Sequence, residues 1–268
     1  MTTVTCDYHM HTPLCHHAIG EPLDYARAAA AAGLEEICFT CHSPMPDWFD
    51  QWPRMTRAEL PRYVAMVQEA AEVAPLRVKL GLEADYFPGT EGYVADMLAE
   101  WPFEFVLGSV HMLNPQYRER FSSLSPDDRI DAYFDELAAA AATGLYDSIS
   151  HPDLVKHLAP FDPLAHEPAI RRMLQAIREA GICMELNTSG ARKPEIADFY
   201  PSPPILAWAA ETAIPITLGS DAHAPEQVAL AWPQARQMLL SAGVRAIHRF
   251  SARRRESVPV SADEVMMR

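Results

Sequence analysis

The sequence lacks the long apolar runs and the basic charge that membrane-spanning and nucleic-acid-binding proteins require. None of its apolar segments approaches the length that spans a bilayer. Acidic residues outnumber basic residues by 36 to 22, and the formal net charge is −14. Because so acidic a surface repels nucleic acids and anionic membranes, we expect neither as a partner.

The sequence also has few cysteines and no sign of a secretory leader. The 268 residues include five cysteines, an odd and scattered set that is typical of reduced thiols rather than of a disulfide framework. The amino terminus lacks the basic start and the apolar stretch of a signal peptide. These absences predict a cytoplasmic protein.

What the sequence does contain is a regular alternation of short apolar segments with alanine-rich helical segments. Strands are predicted near residues 4–9, 36–41, 78–83, 105–111, 148–151, 183–187 and 216–220. Helices are predicted near residues 22–32, 57–74, 92–100, 126–142, 163–180, 204–212 and 225–242. Seven strand–helix units predict a parallel sheet, either a closed barrel or an open, doubly wound sheet. With no linker or internal repeat, we expect one domain, residues 1–268, with a loosely attached tail from about residue 251.

Histidines and carboxylates occur where the predicted strands end. His9 and His11 are two residues apart on an extended segment, so their imidazoles lie on the same side and can reach one metal ion. Asp221 and His223 follow the last predicted strand with the same spacing. The other candidates at or just after strand ends are His17, His42, Glu83, His111 and His151.

The shared position of these side chains is more informative than any one of them. A single histidine at a strand end is usually a hydrogen-bonded structural residue. In a parallel barrel, however, all carboxyl-terminal strand ends open onto one face, where active sites lie. Nine nitrogen and oxygen donors are too many for one zinc ion and indicate two or three divalent ions.

Together these motifs resemble the PHP (polymerase and histidinol phosphatase) family over residues 5–225. The motifs are residues 9–12, His17, His42, and residues 81–83, 109–111, 151–152 and 220–223. A second set, at residues 12–17, 185–193, 200–202 and 219–223, resembles the histidinol-phosphatase branch that serves histidine biosynthesis. The resemblance implies an α/β fold, a distorted (β/α)7 TIM-like barrel with its metal site at the carboxyl-terminal strand ends. It also implies a phosphoric monoester hydrolase that converts L-histidinol phosphate to L-histidinol and phosphate.

The resemblance assigns the candidate ligands to three metals, expected to be zinc, iron or manganese. The first metal is held by His9, His11, Glu83 and Asp221. Glu83 bridges to the second, which His111 and His151 complete. The third is held by His17, His42 and His223. A hydroxide that bridges the metals is expected to attack phosphorus.

Three further expectations concern the residues around the metals. Arg192 follows the sixth predicted strand, and its guanidinium can bind two phosphate oxygens at once. We therefore expect Arg192, with Glu83 and Asp221, to be catalytic. Lys156 and His157 are weaker candidates for substrate binding beside Arg192.

Alternative functions remain open at this point. The nearest is a PHP phosphoesterase that acts on another small phosphomonoester or on a nucleotide. An amidohydrolase also begins with an HxH motif, but usually lacks the Asp-x-His pair at the last strand. A non-catalytic metal-binding module is disfavoured because all nine ligand positions are intact. The expected oligomeric state is a monomer or a small homo-oligomer.

Overall fold

The fold is mixed α/β, and its centre is a nine-stranded sheet whose strands follow chain order. The computed structural model describes residues 5–260. Strands β1 to β8 pair in parallel and β9 pairs antiparallel with β8. The strands are β1 Cys6–Asp7, β2 Glu36–Phe39, β3 Arg77–Asp85, β4 Phe105–Ser109, β5 Ser148–Ile149, β6 Cys183–Asn187, β7 Ile216–Gly219, β8 Ala246–Ser251 and β9 Arg254–Pro259.

Helices connect the successive parallel strands. They are α1 Pro22–Ala31, α2 Leu60–Val73, α3 Glu91–Glu100, α4 Pro115–Arg120, α5 Pro126–Ala142, α6 Glu167–Ala180, α7 Pro203–Glu211 and α8 Trp232–Ser241. All of these except α3 have proline in the first turn, where its missing N–H is not needed. Within residues 5–260, none of the helices is both long enough and apolar enough to cross a membrane.

Backbone hydrogen bonds also join the first and seventh strands, as in a distorted barrel. Tyr8 N donates to Leu218 O at 2.9 Å, and His11 N donates to Ala222 O at 2.9 Å. Met10 and Ala222 form a parallel bridge just beyond the two strands. The contact brings the HxH segment beside the Asp-x-His segment, and the α/β fold expected from the sequence is confirmed.

The carboxyl-terminal segment differs from the prediction. Residues 251–260 were expected to be loosely attached, but β8 and β9 form a hairpin on the sheet, with Phe250 and Val258 buried. In the turn of this hairpin, Arg253 Nε lies 2.9 Å from a carboxylate oxygen of Asp147. The arginine run is therefore partly structural, and the expectation is wrong for residues 251–260; residues 261–268 lie outside the described part of the chain.

Two helical segments also differ from the sequence prediction. The helix expected from residue 225 begins only at Trp232, because Pro225–Gln227 form a 3-10 turn and Ala231 is left-handed at φ 61°. The helix Pro115–Arg120 was not predicted. Both segments follow strand ends, so they shape the rim of the barrel.

Candidate metal centre

All nine predicted metal ligands lie together at the carboxyl-terminal end of the barrel. The ring centroids of neighbouring histidines are 4.0 to 5.8 Å apart in pairs such as His11–His223, His17–His42, His42–His111, His111–His151 and His9–His151. These side chains come from six different strand ends or the loops that follow them. The parallel sheet thus gathers residues that are up to 214 positions apart, from His9 to His223.

Glu83, on β3, is the centre of the group. Its Oε2 atom lies 2.7 Å from His42 Nδ1 and 3.6 Å from His9 Nε2. Its Oε1 atom lies 3.0 Å from His151 Nε2 and 3.6 Å from His111 Nε2. Each carboxylate oxygen therefore faces a different set of imidazoles, the arrangement expected of a carboxylate that bridges two cations.

Burial raises the pKa of Glu83, but the surrounding imidazoles outweigh burial and hold this pKa well below its usual range. The carboxyl group is therefore ionised and able to bind cations. Asp221 is the second carboxylate of the group, with Oδ1 3.1 Å from His11 Nε2 and 3.6 Å from His9 Nε2.

Five sets of three side chains within residues 5–260 have donor atoms within 4.8 Å of one another, close enough to hold an ion. Three of them are His9–His11–Glu83, Glu83–His111–His151 and His17–His42–His223, and the other two are His11–Cys15–His223 and His42–Asp85–His111. The first three agree with the assignment that the family resemblance implies, apart from Asp221, which belongs to none of the five. Imidazole with carboxylate is a donor set suited to zinc, iron and manganese.

Unpaired polar atoms inside the barrel test whether the residues fit metal ions. His9 Nε2 and His223 Nε2 are buried and have no hydrogen-bond partner among the described residues. Leaving such an atom unpaired typically costs about 1–3 kcal/mol, and more when the group is charged. Divalent cations at the first and third predicted sites would satisfy His9 Nε2 and His223 Nε2 respectively, so the residues fit metal ions.

The hydrogen bonds of the imidazoles indicate which ring nitrogen is free. Nδ1 lies beside an oxygen acceptor in four of the histidines: His9 beside Glu185 at 2.7 Å, His17 beside Cys15 O at 2.8 Å, His111 beside Asp85 at 2.7 Å and His223 beside Asp221 O at 2.9 Å. An oxygen acceptor requires a proton on Nδ1, which leaves the Nε2 lone pair free to bind a metal.

Two buried carboxylates that we did not predict as site residues hold these imidazoles. Glu185, on β6, accepts from His9 through Oε1 and from the backbone N–H of His151 through Oε2 at 2.8 Å. Asp85, on β3, accepts from His111 and from the Nη2 atom of Arg54 at 2.7 Å. Burial raises the pKa of Asp85, but Arg54 and His111 outweigh it and hold this pKa well below its usual range.

Arg192 contacts the backbone of a candidate ligand. Its Nη1 donates to Ser220 O at 2.8 Å and its Nη2 donates to Asp221 O at 2.9 Å. Asp221 has a left-handed backbone, with φ at 53°, which is uncommon for a residue other than glycine. The guanidinium therefore supports the backbone conformation that points Asp221 at the histidines.

A cavity of about 470 Å³ opens beside the candidate ligands. Of the predicted substrate-binding residues, His157 lines this cavity, whereas Arg192 and Lys156 do not. The Lys156 ammonium donates instead to Ser202 Oγ at 3.0 Å and lies 3.3 Å from an oxygen of Asp153. Sequence alone does not distinguish these neighbours, because it does not show which side chain points into the cavity.

Lys193 lines the cavity although it was not predicted to bind substrate. Its ammonium makes no hydrogen bond or ion pair within residues 5–260 and lies 5.7 Å from the centroid of the Tyr200 ring. Burial lowers the pKa of Lys193, and Asp221 opposes this effect. Lys193 is thus a cation available to a ligand beside the metal centre.

Comparison with known proteins gives concordant results. The family model described as the PHP domain matches residues 7–189, and a PHP-associated model matches residues 205–236. A probable histidinol-phosphatase of Deinococcus radiodurans is 39% identical over 254 residues, covering 91% of this chain and 96% of the relative. The histidinol-phosphatase of Bacillus subtilis is 29% identical over 258 residues, covering 84% of this chain and 96% of the relative.

A solved structure shares the fold. It is a histidinol phosphate phosphatase of Lactococcus lactis subsp. lactis, complexed with zinc, L-histidinol and phosphate. It superposes with a TM-score of 0.80 at 23% identity and covers 95% of this chain and 100% of that one. At this identity, the likeness supports the architecture described above.

Proposed function

The chain belongs to the PHP domain family, and from this premise we propose that it is a metal-dependent histidinol-phosphatase. It would hydrolyse L-histidinol phosphate to L-histidinol and phosphate, as a single domain working in the cytoplasm. The observation that carries the proposal is the pair of Glu83 oxygens, which face two sets of imidazoles at one end of a ligand-sized cavity. The 39% identity to a probable histidinol-phosphatase supports the choice of substrate.

Each metal would be held by residues that the sheet already brings together. His9, His11, Glu83 and Asp221 would hold the first, Glu83, His111 and His151 the second, and His17, His42 and His223 the third. When bound, divalent cations in such sites stabilise the charge of phosphoryl oxygens and lower the pKa of water toward about 7. Glu185 and Asp85 contribute by fixing the rings of His9 and His111 through Nδ1.

Charge at the cavity wall would orient the phosphate. Lys193 is cationic and makes no ion pair within the described part of the chain, so its ammonium can contact the phosphate oxygens that face away from the metals. The predicted contact between Arg192 and phosphate stays a prediction. The guanidinium already donates to two carbonyls, so we assign Arg192 the additional task of holding Asp221 in place.

A substrate panel tests the proposed reaction. Phosphate release is measured from L-histidinol phosphate, from nucleoside monophosphates and from other small phosphomonoesters, on protein of known metal content. We expect the highest kcat/KM for L-histidinol phosphate. A higher kcat/KM for a nucleotide would instead identify the chain as a PHP phosphoesterase of different specificity.

A further inference from the structure

The loop between β2 and α2 forms one wall of the cavity. Asp50, Trp52 and Pro53 line the cavity from this loop. The Asp50 carboxylate has the opposite charge to the Lys193 ammonium, which also lines the cavity. None of these three residues belongs to the metal-ligand sets described above. The loop is therefore free to contact the part of a substrate that extends away from the metals.

Among residues 5–260, Asp50 is the one carboxylate lining the cavity that does not face the candidate metal ligands. Three carboxylates line it, and the other two, Glu83 and Asp221, lie against the imidazoles. The Asp50 carboxylate has no ion pair with a cationic side chain within residues 5–260, and the one hydrogen bond that it accepts there is from Trp52 N at 3.2 Å. Its side chain is partly exposed. Asp50 therefore presents a negative charge that the folded chain itself does not neutralise.

The loop is anchored to the metal centre. The Arg54 guanidinium is only 1% exposed; its Nε donates to Asp50 O at 2.8 Å and its Nη2 to Asp85 at 2.7 Å. Asp85 in turn accepts from His111. Buried, charge-assisted hydrogen bonds of this kind fix geometry, so the position of Asp50 relative to the metal centre is set by the fold.

Trp52 places a large aromatic ring at the same wall. It is 59% exposed although it lines the cavity, and its ring is stacked on His16 with centroids 5.9 Å apart at 15°. One face of the indole is thus covered by His16. The face of an indole attracts cations and stacks on other aromatic rings.

We propose that Asp50 and Trp52 form the subsite that recognises a protonated amine on the substrate. The inference rests on the proposed function, because it places the phosphate at the metal centre beside Lys193. A phosphomonoester that carries an ammonium group is then electrostatically complementary to the cavity. Phosphate faces the metals and Lys193, and ammonium faces Asp50 with Trp52 flanking it. L-Histidinol phosphate belongs to this chemical class.

The test compares two substrates in matched variants. The quantity measured is the ratio of kcat/KM for L-histidinol phosphate to kcat/KM for phenyl phosphate, which lacks an amine. We expect Asp50→Asn to lower this ratio by about 10- to 100-fold, the range typical of a lost charged hydrogen bond. The matched control is Asp47→Asn, an exposed aspartate of the same loop that does not line the cavity; it should leave the ratio unchanged.

Binding of the product gives a second readout that does not depend on turnover. L-Histidinol carries the amine but no phosphate, and its Kd is measured by calorimetric titration of the metal-loaded protein. Asp50→Asn should raise this Kd at least tenfold, and Asp50→Glu, which keeps the charge, should restore part of the loss. An unchanged ratio and an unchanged Kd in Asp50→Asn would overturn the proposal, as would equal losses on both substrates.

Failure of the proposed function is recognised separately. If the wild type cleaves phenyl phosphate but not L-histidinol phosphate, the histidinol-phosphatase assignment is wrong. The subsite is then tested with 2-aminoethyl phosphate against ethyl phosphate. A preference for the amine that Asp50→Asn abolishes would support it, and equal rates on the two esters would refute it.

Discussion

Glu185 Oε1 lies 2.7 Å from His9 Nδ1, and the two residues are 176 positions apart in the chain. Because the second Glu185 oxygen accepts from His151 N, one buried carboxylate positions ligands of two different metals. Such outer carboxylates raise the basicity of the imidazole and fix its orientation. A multinuclear metal site at this end of the barrel therefore depends on residues that touch no metal.

Glu185→Gln should weaken metal binding. The amide keeps the size of the side chain but removes the charge, and loss of an outer partner typically costs 10- to 100-fold in metal affinity. Zinc affinity is measured by competition with a chelator of known affinity. Glu179→Gln, an exposed glutamate on α6, is the control and should leave zinc affinity unchanged. Equal zinc affinities in Glu185→Gln and the wild type would contradict the role given to Glu185.

Gly219→Ala should disturb the contact between Glu185 and His9. A Cβ atom on Gly219 would lie 2.1 Å from Glu185 Oε1 and 2.5 Å from His9 Cβ, so one of them must move. We expect a loss of about 1–3 kcal/mol in the free energy of unfolding, typical of overpacking, together with weaker zinc binding. Gly92→Ala on α3 meets nothing within 4 Å and should be neutral or stabilising. The measurement is urea denaturation.

Arg54→Met should strongly destabilise the protein. Arg54 and Asp85 form a 2.7 Å ion pair in which both side chains are 1% exposed. Removing Arg54 leaves the buried carboxylate of Asp85 without its guanidinium partner, and breaking a buried pair in this way typically costs about 3–5 kcal/mol. Arg172→Met breaks an exposed pair with Asp135 and should cost no more than about 1 kcal/mol. Equal shifts in the two denaturation midpoints would contradict this ranking.

Lys193→Gln and Arg192→Gln should have different effects. Lys193 lines the cavity, so its loss should raise the inhibition constant of inorganic phosphate about tenfold without changing the metal content. Arg192 holds the Ser220 and Asp221 carbonyls, so its loss should lower the metal content per chain. The opposite pattern, with phosphate inhibition weakened only in Arg192→Gln at full metal content, would restore Arg192 as the phosphate clamp expected from the sequence.

Local periodicity explains why much of the site could be predicted from the sequence. His9 and His11 are two residues apart, as are Asp221 and His223, and an extended backbone sends such pairs to one side. Parallel topology then brings strand ends together whatever their separation along the chain. The strand–helix alternation likewise predicts the sheet, because the apolar residues that strands and helices bury recur at different, recognisable spacings along the sequence.

Contacts between distant residues explain what the sequence did not indicate. The partners of Glu185, Asp85 and Arg54 depend on how loops and strands pack, and a buried carboxylate in a strand has no distinguishing pattern. Arg192 and Lys193 are adjacent, and only the 3-10 turn that contains Arg192 decides which of the two lines the cavity. In β8, Ile247 and Phe250 are the buried residues, and their spacing of three lacks the alternation that indicates a half-buried strand.

Phosphate release from L-histidinol phosphate, measured on the same sample as metal content, is the decisive test of the multinuclear metal site. The metal is removed with a chelator and returned stepwise as zinc, manganese or iron(II), with elemental analysis at each step. We expect activity to disappear with the metal and to return as two to three equivalents bind, whereas Glu83→Gln, which alters two of the three sites, should not recover. Full activity in metal-free protein, or in Glu83→Gln, would rule out a metal-dependent reaction at this site.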